Sequence, residues 1–359
     1  MDASALRAEF PVLAHLAYLN AGTDGPIPAE AVRAAAEELQ REARQGRARA
    51  HFERRGELAR QLREAYAGLL ACEPHDVALT SCTSEGIAQV VVGMPLGDGD
   101  EILTSDEEHP GLLGPLAAAR ELRGVTVREV PLARIAAEVS PRTRLVACPH
   151  VGWMSGALAP AELAQAPVPV LLDGAQGVGA VPTDVNQLGC DAYAGAGQKW
   201  LCGPDGIGML YVSPRLRELL AVPRRGYANF LDANAGLQAR LHEDARRFDS
   251  PALSAEALAC ALSAAHVLER AGWPAVHARA AQLAQRLAEL LPAAGRDVAP
   301  RDHTTLVSFT SPDPENEPAH LAESGCIVRN IPGRPWLRAS VGAWNDEHDI
   351  DRLLAALYQ

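Results

Sequence analysis

From about residue 75 to residue 215, short apolar runs alternate with stretches of helical periodicity. Val77–Thr80, Glu101–Thr104, Val125–Val130, Arg144–Cys148, Val168–Asp173, Asp191–Ala194 and Gly208–Val212 read as buried strands. Helical stretches such as Ser84–Met94 and Gly111–Leu122 lie between several of them. Strands alternating with helices imply a mostly parallel sheet with both faces covered. Pro169 is the discordant residue, because proline is disfavoured inside a central strand and is best tolerated near its start. In sheets of this kind ligands gather at the carboxyl ends of the strands.

The flanks differ in pattern. Ala29–Leu70 reads as two long helices. Ser254–Ala271 and Pro274–Leu291 read as amphipathic helices, with Gly272 ending the first and Pro274 near the start of the second. Strand candidates Thr305–Phe309, Ile327–Asn330 and Leu337–Ser340 follow, then a helix from about Asp346 to Leu357. That order suggests a smaller α+β domain. The expected division is a large domain over 15–235 and a small one over 236–359, with 1–14 packing on the small one and the boundary inside the loop-like Leu219–Asp249.

Composition narrows the class. Apolar residues are 48% of the chain, enough for a core, so disorder is excluded as the main state. No apolar stretch nears the ~20 residues a bilayer needs, and the first nine residues lack the apolar core of a secretory signal. The net charge is −12 and there is no basic stripe, Arg224–Arg225 and Arg246–Arg247 being only doublets, so no nucleic-acid partner is expected. Seven cysteines occur without a CxxC pair. They read as reduced thiols of a cytoplasmic protein, with no metal site.

Of 33 lysines and arginines, one is lysine: Lys199. The chain uses arginine wherever a cation suffices, yet arginine cannot lose its proton and form an imine with an aldehyde. Lys199 sits in Gly195-Ala196-Gly197-Gln198-Lys199-Trp200-Leu201-Cys202-Gly203-Pro204, just after a buried strand. Glycines there let a bulky ligand approach the backbone. Asp173 closes another buried strand 199 − 173 = 26 residues earlier, followed by Gly174-Ala175-Gln176. A buried carboxylate is costly without a partner, although an isolated Asp would serve equally as a helix cap. Thr80-Ser81-Cys82-Thr83-Ser84-Glu85-Gly86 follows the first strand and opens a helix, a setting that suits either a phosphate or a plain cap. His109 follows the next strand, where its ring could stack on a planar cofactor or simply be solvated.

Together these residues resemble the class V aminotransferase and cysteine desulfurase family of pyridoxal-phosphate (PLP) enzymes, of fold type I. The resemblance runs from Tyr18-Leu19-Asn20-Ala21-Gly22 to Leu337-Arg338-Ala339-Ser340 and Asp349-Ile350-Asp351. It is most specific at Asp173-Gly174-Ala175-Gln176 and Gly197-Gln198-Lys199-Trp200. It implies a PLP cofactor and a homodimer. It implies catalytic roles for Lys199 as Schiff-base lysine, Asp173 as partner of the pyridine nitrogen and His109 as a stacking ring. Thr83, Ser84 and Gln198 would hold phosphate, Gln176 the phenolic oxygen, and Arg338 the substrate carboxylate.

The chain departs from the family in several places. Ala196 and Gln198 stand where the family often has Ser and His, and Trp153 replaces its Asn in His150-Val151-Gly152-Trp153. The residue lent to the phosphate by a partner subunit falls on Ala252, Ser250 or Ser254. Desulfurases carry a nucleophilic cysteine on the loop before the substrate arginine. Here Asn330–Leu337 contains none, and Cys326 lies upstream on a strand. The expected activity is therefore a PLP-dependent carbon–sulfur β-lyase on cysteine or an S-substituted cysteine. A class V aminotransferase, a cysteine desulfurase or an epimerase is the alternative.

Overall fold

The computed structural model describes residues 1–358. Seven strands form the central sheet: β1 (Val77–Thr80), β2 (Glu101–Ser105), β3 (Thr126–Val130), β4 (Thr143–Pro149), β5 (Val170–Asp173), β6 (Ala192–Ala196) and β7 (Gly208–Val212). Their order is β1-β7-β6-β5-β4-β2-β3. The pairs β2/β3, β2/β4, β4/β5 and β5/β6 are parallel, while β7 runs antiparallel to both β6 and β1. One reversed strand thus sits in an otherwise parallel sheet. The architecture is the mixed α/β fold with a mostly parallel sheet that the alternating pattern predicts.

The expected strands are all present, with small shifts at their ends. The run containing Pro169 begins as a strand only at Val170. Pro169 precedes it and accepts Val146 N–H through its carbonyl at 3.0 Å, so the ladder never needs the missing donor. The run Ile327–Asn330 divides in two. Cys326–Ile327 pairs in parallel with Ala17–Tyr18, and β9 (Arg329–Ile331) turns to another sheet. There β9, β10 (Trp336–Ser340) and β8 (Leu306–Thr310) form an antiparallel sheet in the order β9-β10-β8.

Apolar side chains fill both faces of the central sheet. One face buries Leu103, Val146, Leu172 and Met209 against Leu62, Tyr66 and Leu70 of the helix Arg49–Leu70. The helix Ala255–Ala271 lies beyond the expected boundary at 235/236, yet Leu258 and Leu262 join this same core. The other face buries Ile102, Leu145 and Leu171 against Ile87 and Val91 of Thr83–Gly93 and Leu112 and Leu116 of Pro110–Arg123. The short helix Ala3–Ala8 is tied to the last helix, Glu347–Leu357, where Arg7 Nη1 meets Asp349 Oδ2 at 2.7 Å.

The parallel strands all end on one edge of the central sheet. Five turns follow there: Ser81–Thr83 after β1, the loop to His109 after β2, His150–Trp153 after β4, Gly174–Gln176 after β5 and Gly197–Lys199 after β6.

Candidate active site

Those turns enclose a cavity of about 230 Å³ lined by Thr83, Ser84, His109, Asp173, Gln176, Gln198, Lys199 and Arg338, together with Gly22, Thr23, Cys82, Trp153 and Arg329. All eight residues singled out in the sequence therefore meet in one place, although they span 338 − 83 = 255 positions of chain.

Lys199 stands just past β6, and burial pushes its amine down to about 8, with Asp173 opposing the shift and Arg338 adding to it. A lysine in this range has a substantial free-base fraction near neutral pH, which nucleophilic attack on an aldehyde requires. Asp173 ends β5 and is 6% exposed. Burial pushes its carboxyl up, while Lys199 and the Ala175 N–H, donated to Oδ1 at 2.9 Å, pull it down. A buried carboxylate with one N–H donor and one nearby amine has room for a further cation.

His109 caps the helix Pro110–Arg123, with its Nδ1 accepting the Gly111 N–H at 3.0 Å. That bond makes Nδ1 the acceptor and Nε2 the protonated nitrogen of a neutral ring. Burial, aided by Lys199, Arg329 and Arg338, pushes the ring down to about 4. Its plane stands at 90° to that of Trp153, with centroids 5.1 Å apart.

Gln176 is fixed at both ends. Its Nε2 donates to the Gly22 carbonyl at 2.7 Å, and its Oε1 accepts the Trp200 indole N–H at 3.0 Å. One amide N–H is left for a ligand. Gly22 must be glycine for this packing. A Cβ there would meet Arg338 Nη2 at 2.7 Å, Ser340 Oγ at 2.7 Å and Gln176 Oε1 at 2.9 Å.

Arg338 is fully buried. Its Nη1 donates to the Trp153 carbonyl at 2.8 Å, while Nε and Nη2 have no partner. Burial, reinforced by Arg329, pushes its guanidinium down to about 9. The register places Arg329 on β9 directly opposite Arg338 on β10. Like charges facing each other across an antiparallel pair are destabilising, so the arrangement calls for an anion. Arg329 also lies over the Trp153 ring, 5.8 Å from its centroid. Neither Arg329 nor Trp153 is singled out as a site residue by the sequence. Arg329 was within reach, since the short β9–β10 connection aligns it with Arg338.

The residues fit pyridoxal phosphate. Helix Thr83–Gly93 opens onto the cavity, and its first N–H groups have no intrahelical partner. Thr83 Oγ1 and Gln198 Oε1 are buried without hydrogen bonds. An amide oxygen and nitrogen are exchangeable by a flip, so Gln198 can present a donor. These groups would hold the phosphate, Asp173 the ring nitrogen, Gln176 the phenolic oxygen, and Lys199 the aldehyde carbon. A Cβ on Gly111 would meet Ser84 Oγ at 2.6 Å, so glycine keeps this wall open.

The family model for aminotransferase class V matches residues 17–353. A protein named "Probable cysteine desulfurase" from Pseudomonas aeruginosa is 32% identical over 336 residues, covering 80% of this chain and 79% of that one. An isopenicillin N epimerase from Streptomyces clavuligerus is 34% identical over 176 residues, 44% of each chain, so that match spans less than half of the relative. Among solved structures, a mutant of C-DES with glycine covalently linked to the PLP cofactor superposes with a TM-score of 0.92 at 30% identity, covering 98% of this chain and 99% of that one. The complex of the cystine C–S lyase C-DES with its reaction product, cysteine persulfide, gives 0.90 at 29% identity and the same coverage. With a cavity whose donors fit the cofactor and a family model spanning nearly the whole chain, this protein belongs to the class V aminotransferase family of pyridoxal-phosphate-dependent enzymes.

Proposed function

We propose that this enzyme is a carbon–sulfur β-lyase acting on cysteine or an S-substituted cysteine. The observation that carries the reading is where its thiols lie. A desulfurase needs a thiol that can reach the substrate sulfur. Asn330–Leu337, leading into Arg338, contains no cysteine. Cys326 is fully buried beside Phe309, Leu337 and Leu353, outside the cavity lining. Cys82 does line the cavity, but at the turn that opens helix Thr83–Gly93, where its sulfur accepts the Glu85 N–H at 3.4 Å. A β-lyase needs a base, an electron sink and a leaving group, and no such thiol.

When bound, pyridoxal phosphate supplies an aldehyde for an amine and a ring that delocalises electrons released at the α-carbon. In this reading Arg338 takes the substrate carboxylate on Nε and Nη2 and thereby orients the α-carbon. Lys199, whose amine burial holds down at about 8, would be the base that takes the α-proton. Asp173 would hold a cation on the ring nitrogen, and the neutral His109 ring would line the cofactor's place without adding charge. Loss of the sulfur group from the β-carbon would then yield pyruvate and ammonia, with one water consumed, and would release hydrogen sulfide from cysteine, a thiol from an S-alkyl cysteine or a persulfide from cystine. Arg329 gives the cavity a second cation, which suits a substituent that carries its own carboxylate, as in cystine.

The test is to incubate the cofactor-loaded enzyme with cysteine, cystine and S-substituted cysteines and to assay pyruvate, ammonia, thiol, alanine and keto acid separately. Pyruvate and ammonia in equal amounts are expected, and Cys326→Ala should retain most activity per folded, loaded enzyme. Alanine as main product, lost in Cys326→Ala, would instead establish a desulfurase. Keto acid formed without sulfur release would favour an aminotransferase, and inversion at the α-carbon an epimerase.

The same reading includes a homodimer in the cytoplasm. The homodimer is supported by exposed Phe52, Tyr227 and Leu231, of which Phe52 lines a second cavity of about 190 Å³ that Ser250 also lines. Light scattering tests it, and a fully active monomer would refute it.

A further inference from the structure

Glu108 is a buried acid that the chemistry above does not use. It is 6% exposed, its Oε2 has no hydrogen-bond partner, and its Oε1 has only the Ser105 hydroxyl at 3.5 Å. The Trp153 indole holds its backbone in place by donating to the Glu108 carbonyl at 2.8 Å. Glu108 lines a void of about 10 Å³ with Asp173, Lys199, Gln176 and Trp153, directly behind the cavity. That volume holds about one water at most.

We propose that Glu108 and Asp173 form a carboxyl pair in which Glu108 keeps the proton and directs it at Asp173. Glu108 is then a positioning residue, setting how much negative charge Asp173 presents to the cofactor's ring nitrogen. The proposal rests on the reading that gives Asp173 that partner.

Two ionised carboxylates beside one void repel, and one of them must stay neutral. The groups around Glu108 decide which. Its own loop supplies Glu107, which opposes its charge, and the His109 backbone N–H and the Ser105 hydroxyl, which favour it without bringing a cation. The adjacent strand supplies Cys148, and the site supplies Asp173 and Lys199. No arginine or lysine pairs with Glu108. Asp173 has the Ala175 N–H, and Lys199 favours its charged form. The proton therefore rests on Glu108. Burial first, and Asp173 second, push the Glu108 carboxyl well above the usual carboxylate range. A neutral acid is a hydrogen-bond donor, and its one unpartnered oxygen is where that donor resides.

The test uses the cofactor-loaded enzyme and two measurements. Infrared difference spectra of wild type against Glu108→Gln at neutral pH should show a carboxylic-acid carbonyl band that the variant lacks. The pH titration of the visible cofactor band should keep its midpoint in Glu108→Gln, whose amide still donates. In Glu108→Ala the midpoint should move by about one pH unit, a tenfold change in proton affinity, the size of effect one hydrogen bond produces. Glu108→Met serves the same purpose if the alanine variant does not fold. Absence of the acid band would overturn the proposal, because Glu108 would then be ionised. An acid band with an unmoved midpoint in Glu108→Ala would overturn it too, because the proton would not be coupled to Asp173. A parallel Asp173→Asn separates the two readings. If that variant leaves the midpoint unmoved, the assignment of Asp173 fails, and the role of Glu108 fails with it.

Discussion

Arg338→Met asks whether a buried cation is held in place for a ligand. Methionine is unbranched and apolar and fills the space of the arginine stem. Two quantities should move in opposite directions. Without its ligand, Arg338 is a desolvated charge with one hydrogen bond, to the Trp153 carbonyl, and with Arg329 facing it across the strand pair. Because the folded state disfavours the cation, the charge costs stability at every pH below about 9. Replacing a buried charge by an apolar side chain is commonly neutral or stabilising by about 1–4 kcal/mol, against about 1–3 kcal/mol for leaving the Trp153 carbonyl unpaired. The thermal midpoint of Arg338→Met should thus be unchanged or raised by a few degrees. Binding should collapse. Removing one partner of a buried, hydrogen-bonded charge pair costs about 2–5 kcal/mol, or roughly 30-fold to a few thousand-fold in affinity. The assay is a spectral titration of the cofactor-loaded enzyme with glycine and with glycinamide, which lacks the carboxylate. The glycine Kd should rise on the order of 10²–10³-fold, and the glycinamide Kd should change little. Equal losses for both ligands, or a glycine loss under threefold, would refute the assignment of Arg338 as the carboxylate clamp.

Other substitutions separate the remaining roles. Lys199→Arg should fold normally but lose the visible cofactor band, and the mass fixed at this residue by borohydride in the wild type should be absent. In the wild type without cofactor, reductive capture of an aldehyde at Lys199 should rise with pH through about 8, as the free-base fraction grows. Asp173→Ala should retain some cofactor, measured by absorbance after desalting, while turnover falls on the order of 10²-fold or more. An unchanged rate would make Asp173 only the acceptor of the Ala175 N–H. Gly22→Ala should raise the Kd for amino acids on the order of 10- to 100-fold and lower the thermal midpoint by a few degrees, because the added methyl displaces the buried Arg338, Ser340 and Gln176 side chains at a cost of about 1–3 kcal/mol.

Much of this site was legible in the chain because its signals were local. A solitary lysine after a buried strand, an aspartate at the end of another and a hydroxyl-rich turn opening a helix each carry chemistry within a few residues. What escaped depended on strand register and on contacts between separate turns. Arg329 becomes a site residue only because β9 folds back beside β10, and Trp153 only because its ring is caught between His109 and Arg329. Glu108 is one of three consecutive acids, Asp106-Glu107-Glu108, and nothing in that run shows which one turns inward. The division of Ile327–Asn330 between two sheets was likewise invisible, because no turn residue interrupts Ile327-Val328-Arg329-Asn330 and only the different partners of its two ends separate them.

The walls of the cavity are delivered at very different times during synthesis. The segment Asn20–Gly25 arrives early, and the Gly25 N–H binds the Gln198 carbonyl at 2.7 Å with no room for a Cβ against the Lys199 carbonyl. By the time Lys199 has been made, the phosphate turn, Asp173 and this early strap already exist. Arg338 follows 338 − 199 = 139 residues later. A ribosome-bound chain can therefore carry Thr83, Ser84, His109, Asp173, Gln176, Gln198 and Lys199 while still lacking Arg338, the group that would hold the substrate. Domains generally fold as units during synthesis, and β7 joins β1 to β6 while Leu258 and Leu262 complete the same core, so the cofactor-holding turns can be assembled once the chain has passed Leu262, still 338 − 262 = 76 residues before Arg338 is made.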